Sequence, residues 1–100
     1  MRNELGKQGK WIHYYPNGKR SATYRYVDNE LSGIANTFFP NGQLQAKEYW
    51  TEDVLEDSAH YYFKNGNLKR NGVYKNGLYH GAWVSFYENG EKKSIGNYGY

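Results

Sequence analysis

Apolar and polar side chains alternate along most of this chain, in short runs punctuated by polar turns. Four stretches carry the pattern: "HYYPNGKRSATYRYV" (13–27), "NTFFPNGQLQAKEYW" (36–50), "HYYFKNGNLKRNGVY" (60–74) and "VSFYENGEKKSIGNY" (84–98). A period near two places successive side chains on opposite faces of an extended ribbon, so these stretches predict strands. No segment has helical spacing. "TEDVLED" (51–57) is short and acidic, and reads as a connection.

The runs break at the same dipeptide, Asn-Gly, at Asn17-Gly18, Asn41-Gly42, Asn65-Gly66 and Asn89-Gly90, each 24 residues after the last. That period divides the chain into units 9–32, 33–56, 57–80 and 81–100. Aromatic doublets recur at the sixth and seventh unit positions: Tyr14-Tyr15, Phe38-Phe39, Tyr62-Phe63 and Phe86-Tyr87. A repeat of this kind signals a structure whose neighbouring units bury one another. Asn-Gly between alternating runs predicts a type I′ hairpin turn with positive φ at both residues. The register that follows opposes Phe39 to Leu44, Phe63 to Leu68 and Trp83 to Gly96. It also sets Gly9, Gly33 and Gly81 across from Tyr26, Trp50 and Tyr98, where a ring would cover each glycine. The expectation is an all-β, single-domain antiparallel meander of four 24-residue hairpins forming one curved sheet. Segments such as "VDNELSG" and "KNGLYHG" are its polar connections.

Composition changes the picture in one respect. Aromatics make up 19% of the chain, 12 of them Tyr, while mean hydropathy is −1.04. So polar a chain would ordinarily approach disorder, but large rings favour strands and bury much area each. The core is therefore expected to be made of rings, with the doublets as its centre. There is no cysteine, hence no disulfide, thiol nucleophile or thiolate metal site. No apolar run is long enough to span a membrane as a helix, and "MRNELGKQGKW" has no signal-peptide core. A cytoplasmic setting is the default, with a secreted or periplasmic one open if a leader has been removed.

The stretch "YKNGLYHGAWVSFYENGEKKSIGNY" (74–98) resembles the MORN repeat in its bacterial variant form, patterned roughly Y-x-N-G-x-x-x-G-x-W-x-x-Y-Y-x-N-G. The likeness runs from Gly9 onward. The second and third units depart from it, with Ala35 and Ala59 in place of Trp, and Asp57 in place of Gly. The resemblance implies a hairpin meander acting as a binding or scaffolding surface. Many small bacterial proteins of this appearance are grouped as YwqK-type antitoxins, whereas eukaryotic members associate with membranes and dimerise.

Catalytic chemistry finds no footing. His13 and His60 fall on opposite faces by alternation, His80 lies in a connection, and no pair has metal-ligand spacing. The reading is a non-enzyme without metal or cofactor. Charge is segregated instead. Residues 1–27 hold six basic and one acidic side chain, residues 28–57 one and seven, and residues 58–100 six and two. The acidic middle interrupts the continuous positive stripe that a nucleic-acid backbone requires, which argues against that partner. Glu48, Glu52, Asp53, Glu56 and Asp57 gather where the repeat breaks, with Tyr61 beside them. Sheet formation asks for no such cluster, so these six residues are the candidate site for a basic protein partner such as a toxin. The alternatives are a scaffold whose basic ends meet anionic lipid and, further down, a carbohydrate or nucleic-acid surface. Terminal strands also offer edges for homodimerisation, or edges blocked by Lys7, Lys10, Lys92 and Lys93.

Overall fold

The computed structural model describes residues 8–98, which form ten strands and no helix. Four long hairpins carry the meander. They are β1 (Gly9–Tyr14) with β2 (Arg20–Val27), β4 (Gly33–Phe38) with β5 (Leu44–Thr51), β7 (Asp57–Tyr62) with β8 (Leu68–Lys75), and β9 (Leu78–Phe86) with β10 (Lys92–Tyr98). Two short arms, β3 (Glu30–Leu31) and β6 (Val54–Leu55), fold back onto β2 and β5. The eight long strands lie in chain order in a single antiparallel sheet, with β1 and β10 at its edges. Lys7 lies outside the described residues.

The four Asn-Gly dipeptides spaced 24 residues apart do reverse the chain, but not as type I′ turns. Only the glycines are left-handed, at φ 89° for Gly18, 93° for Gly42 and Gly66, and 97° for Gly90. The Gly18 N–H donates to the Tyr15 carbonyl at 2.9 Å, and the Tyr15 N–H donates to the Lys19 carbonyl at 2.8 Å. This is a three-residue loop in which an ordinary turn ends on a left-handed glycine. The extra loop residue shifts the outermost pairs, so Leu44 faces Phe38 rather than Phe39, and Leu68 faces Tyr62 rather than Phe63. A bulge one step further in restores the register. The inner pairs are then those predicted: Gly9 with Tyr26, Gly33 with Trp50, Gly81 with Tyr98 and Trp83 with Gly96.

Type I′ geometry appears in the segments read as loose connections. Asp28-Asn29 (φ 50° and 70°), Glu52-Asp53 (49° and 67°) and Asn76-Gly77 (52° and 80°) are two-residue turns with positive φ at both positions. The turn asparagines serve another purpose. Asn17, Asn41 and Asn65 each accept the N–H two residues on, at 2.8–2.9 Å. Each also donates to a carbonyl in the following turn: Asn17 to Pro40 at 3.0 Å, Asn41 to Lys64 at 3.4 Å and Asn65 to Glu88 at 3.1 Å. One amide thus shapes its own loop and ties it to the next.

The glycines opening three units are not sheltered by the opposing rings. A side chain at Gly9 or Gly81 would meet nothing within 4 Å, and Gly33 lies under Arg25. They are glycine because φ is 76°, 107° and 71° there, and Asp57 holds the matching place at 66°.

The described chain measures 50 × 40 × 12 Å, the thickness of one sheet. A single layer has no second face to cover large rings, so the doublets are not the buried core that was expected. Tyr14 is 61% and Tyr87 51% exposed, and the other doublet rings are half-buried. The buried hydrophobic residues are small or central: Ala22, Ala35, Ala46, Ala59, Tyr74 and Trp83. All six lie on the same face of the sheet, by alternation along their strands.

Candidate functional site

The six acidic-break residues fall into three places. Glu48 and Tyr61 sit within the sheet, on the face that holds the buried alanines. The register Ala46↔Tyr61 across β5 and β7, continued by two residues, sets Glu48 beside Ala59. The small Ala59 side chain leaves the Glu48 carboxylate free to accept a hydrogen bond from the Tyr61 hydroxyl. The Tyr74 hydroxyl lies 2.9 Å from that of Tyr61 and, with the Tyr61 proton committed to Glu48, is the donor. The Arg70 guanidinium stands 4.4 Å from the centroid of the Tyr61 ring. Trp83 continues the cluster, stacked on Tyr79 at 3.8 Å and edge-on to Tyr74 at 5.0 Å. Burial, and then the bond to Glu48, pushes the Tyr61 phenol well above its usual range. Burial raises Tyr74 and Tyr24 as well.

Asp53 turns toward the preceding unit. Its carboxylate accepts the Leu31 N–H at 2.6 Å, while its own N–H donates to the Leu31 carbonyl at 2.9 Å. Glu52, Glu56 and Asp57 come together around a rim concavity of about 560 Å³, with Val54, Val73 and Lys75 in its wall. Glu56 accepts the Asn76 N–H at 2.9 Å, and Asp57 accepts the Ser58 N–H at 2.8 Å. Sheet formation therefore does use part of this acidic run, contrary to expectation: Asp53, Glu56 and Asp57 satisfy backbone donors at strand junctions. Glu52, exposed at the tip of its turn, is the carboxylate most open to solvent chemistry.

A second concavity was not foreseen. It measures about 750 Å³ on the opposite face, where Lys10, Arg20, Arg25 and Lys47 converge around Thr23 and Asn36 with no carboxylate in the lining. Thr23 is buried and its hydroxyl accepts from the Asn36 amide at 3.3 Å. Summing charge by segment conceals this group, because Lys47 belongs to the acidic middle. Assigning each residue to a face by alternation would have exposed it. Among the described residues there is no cluster of three or more His, Asp or Glu able to hold a metal ion.

Fold and surface together define a repeat protein of stacked hairpins that presents side chains from a single layer, which is the build of a binding module. Four segments, 7–28, 31–52, 59–76 and 79–99, match the MORN repeat variant, and the chain belongs to that family. Asp53, Glu56 and Asp57 lie between the second and third matches, whereas Glu48 and Glu52 fall inside the second. No curated protein matches the chain.

Proposed function

We propose that the protein is a non-catalytic protein-binding module, an antitoxin or immunity protein of bacterial type that captures a basic toxin. The carrying observation is the rim concavity, where Glu52, Glu56 and Asp57 surround Val54 and Val73, 38% and 40% exposed. Carboxylates around an apolar floor suit an arginine or lysine, whose stem packs while its head is paired.

Glu52→Lys with Asp57→Asn separates binding from folding, since an asparagine at 57 can still accept the Ser58 N–H and tolerate the positive φ, and the Asp53 and Glu56 bonds to backbone are untouched. In capture from a host lysate, the unaltered protein is expected to retain a strongly basic protein whose toxicity it suppresses. The double variant should bind that protein at least tenfold more weakly, most visibly at low salt. A neutral or acidic partner, or equal affinity for both forms, would remove the reading. A second reading rests on the cationic concavity, which fits an anionic lipid headgroup at a membrane surface. It predicts salt-sensitive co-sedimentation with anionic but not neutral vesicles, abolished by Arg25→Glu with Lys47→Glu.

A further inference from the structure

Neighbouring units meet at one pair of positions whose sizes compensate. The register between β2 and β4, Ala22↔Thr37 and Thr23↔Asn36, continues to set Tyr24 beside Ala35. Between β5 and β7 the same continuation sets Glu48 beside Ala59. Between β8 and β9 it sets Gly72 beside Trp83, whose indole lies so close that a Cβ on Gly72 would be 2.2 Å from it. A large residue meets alanine twice, and glycine meets tryptophan once. In all three cases the residue contributed by the following unit is buried: Ala35 at 4%, Ala59 at 0% and Trp83 at 3% exposed.

Two members of this series lie on the sheet edges. Gly96, on β10, occupies the position of Gly72. Trp11, on β1, occupies the position of Trp83 and is 38% exposed. Beside Gly96 is a recess of about 530 Å³ walled by Arg70, Tyr79, Trp83, Ser85 and Tyr98. Tyr98 now leans across the glycine, 2.9 Å from where a Cβ would be, and is 47% exposed. Tyr74, its counterpart one repeat earlier, stands edge-on to Trp83 instead.

We infer that the protein associates head to tail with a second copy of itself, the Trp11 indole of one copy seating over Gly96 of the next. Moving the joint between β8 and β9 forward by one repeat lays β1 of the incoming copy on β10. Arg70↔Ser85 and Asn71↔Val84 become Ser94↔His13 and Ile95↔Ile12. Trp83 donates its indole N–H to the Val73 carbonyl at 2.9 Å, and Trp11 would donate to that of Asn97 in the same way. Trp11 now donates to the Gln8 carbonyl at 3.1 Å, so one bond is exchanged for another. Asn89, which donates to its neighbour Glu91, would reach the Pro16 carbonyl as Asn65 reaches that of Glu88. Lys93 is drawn back from this edge to 5.8 Å from the centroid of the Tyr87 ring. The two surfaces differ, so the interface is heterologous and adds further copies at each free edge.

Sedimentation of the 100-residue protein from about 1 μM to about 300 μM tests this, over a range suited to an interface of one strand pair and one tryptophan anchor. The mass should rise with concentration while tryptophan emission shifts to the blue as Trp11 becomes buried. Trp11→Ala leaves the recess intact, and Gly96→Leu leaves Trp11 intact. Each alone should weaken self-association by at least about tenfold. Mixed one to one, the two variants should form a heterodimer and nothing larger, which a symmetric dimer cannot reproduce. A wild-type protein monomeric throughout the range overturns the proposal, whatever the variants do. So does self-association undiminished in either variant, or a mixture of folded variants that stays monomeric.

Discussion

At the residue scale, the side chains that define the surface are held by neighbours chosen for size. Alanine at positions 35 and 59, which from the sequence reads as loss of a tryptophan, is the space that Tyr24 and Glu48 need. Tyr61 shows what such space permits: a half-buried phenol that keeps its proton and donates it in a hydrogen bond to a carboxylate. Its folded pKa lies above the ordinary value of 10.0 that it has in the unfolded chain. The stability linked to this group is therefore fully present below pH 10.0 and is lost as the pH rises beyond it, because only the unfolded chain releases the proton. Urea midpoints should fall between about pH 9 and about pH 11, and Tyr61→Phe should make that fall shallower. An equal slope in both proteins would show that the Tyr61 phenol titrates normally. The sequence placed Tyr61 beside the acidic residues but not its hydrogen bond to Glu48, which depends on the joint between units and not on either hairpin alone.

At the scale of the element, the hairpins were legible and their turns were misread. Asn-Gly marks a reversal in both loop types, and the choice between them rests on one φ. The residue ahead of the dipeptide does not make that choice: "FKNG" (63–66) ends on a left-handed glycine alone, whereas "YKNG" (74–77) has positive φ at both Asn76 and Gly77. The two-residue turns went to Asp28-Asn29 and Glu52-Asp53, where short arms fold back, and to Asn76-Gly77, which joins β8 directly to β9. Asn41 should separate the two tasks of a turn asparagine. Asn41→Ala loses both the Gln43 N–H acceptor and the Lys64 link, and is expected to cost about 1–2 kcal/mol. Asn41→Asp keeps the acceptor and should cost about half as much, read from chemical denaturation. Equal losses would mean that the bond within the loop contributes nothing, and an unchanged midpoint in Asn41→Asp that the bond to the next unit contributes nothing.

At the scale of the whole molecule, a single layer about 12 Å thick has its stability concentrated at its middle. The buried residues run from Ala22 to Trp83, while every residue of β1 is exposed. Amide hydrogen exchange should therefore be slowest in β4, β5, β7 and β8 and fastest in β1, a gradient expected of quasi-one-dimensional repeats. Uniform protection across all strands in dilute protein would contradict it. The acidic break was visible as a charge run, and three of its five carboxylates do share a concavity. The cationic concavity was hidden because its members lie on four strands, separated in sequence but neighbours on one face.

Period, alternation and the placing of Asn-Gly determined the meander and its inner register, because each is a local property that repeats without regard to distant partners. Contacts between units decided the rest: which rings are covered, which carboxylates are spent on backbone donors, and which face collects the cations. Those outcomes depend on the relative sizes of side chains 11 residues apart in the chain and adjacent across a joint. Only the assembled sheet brings them side by side.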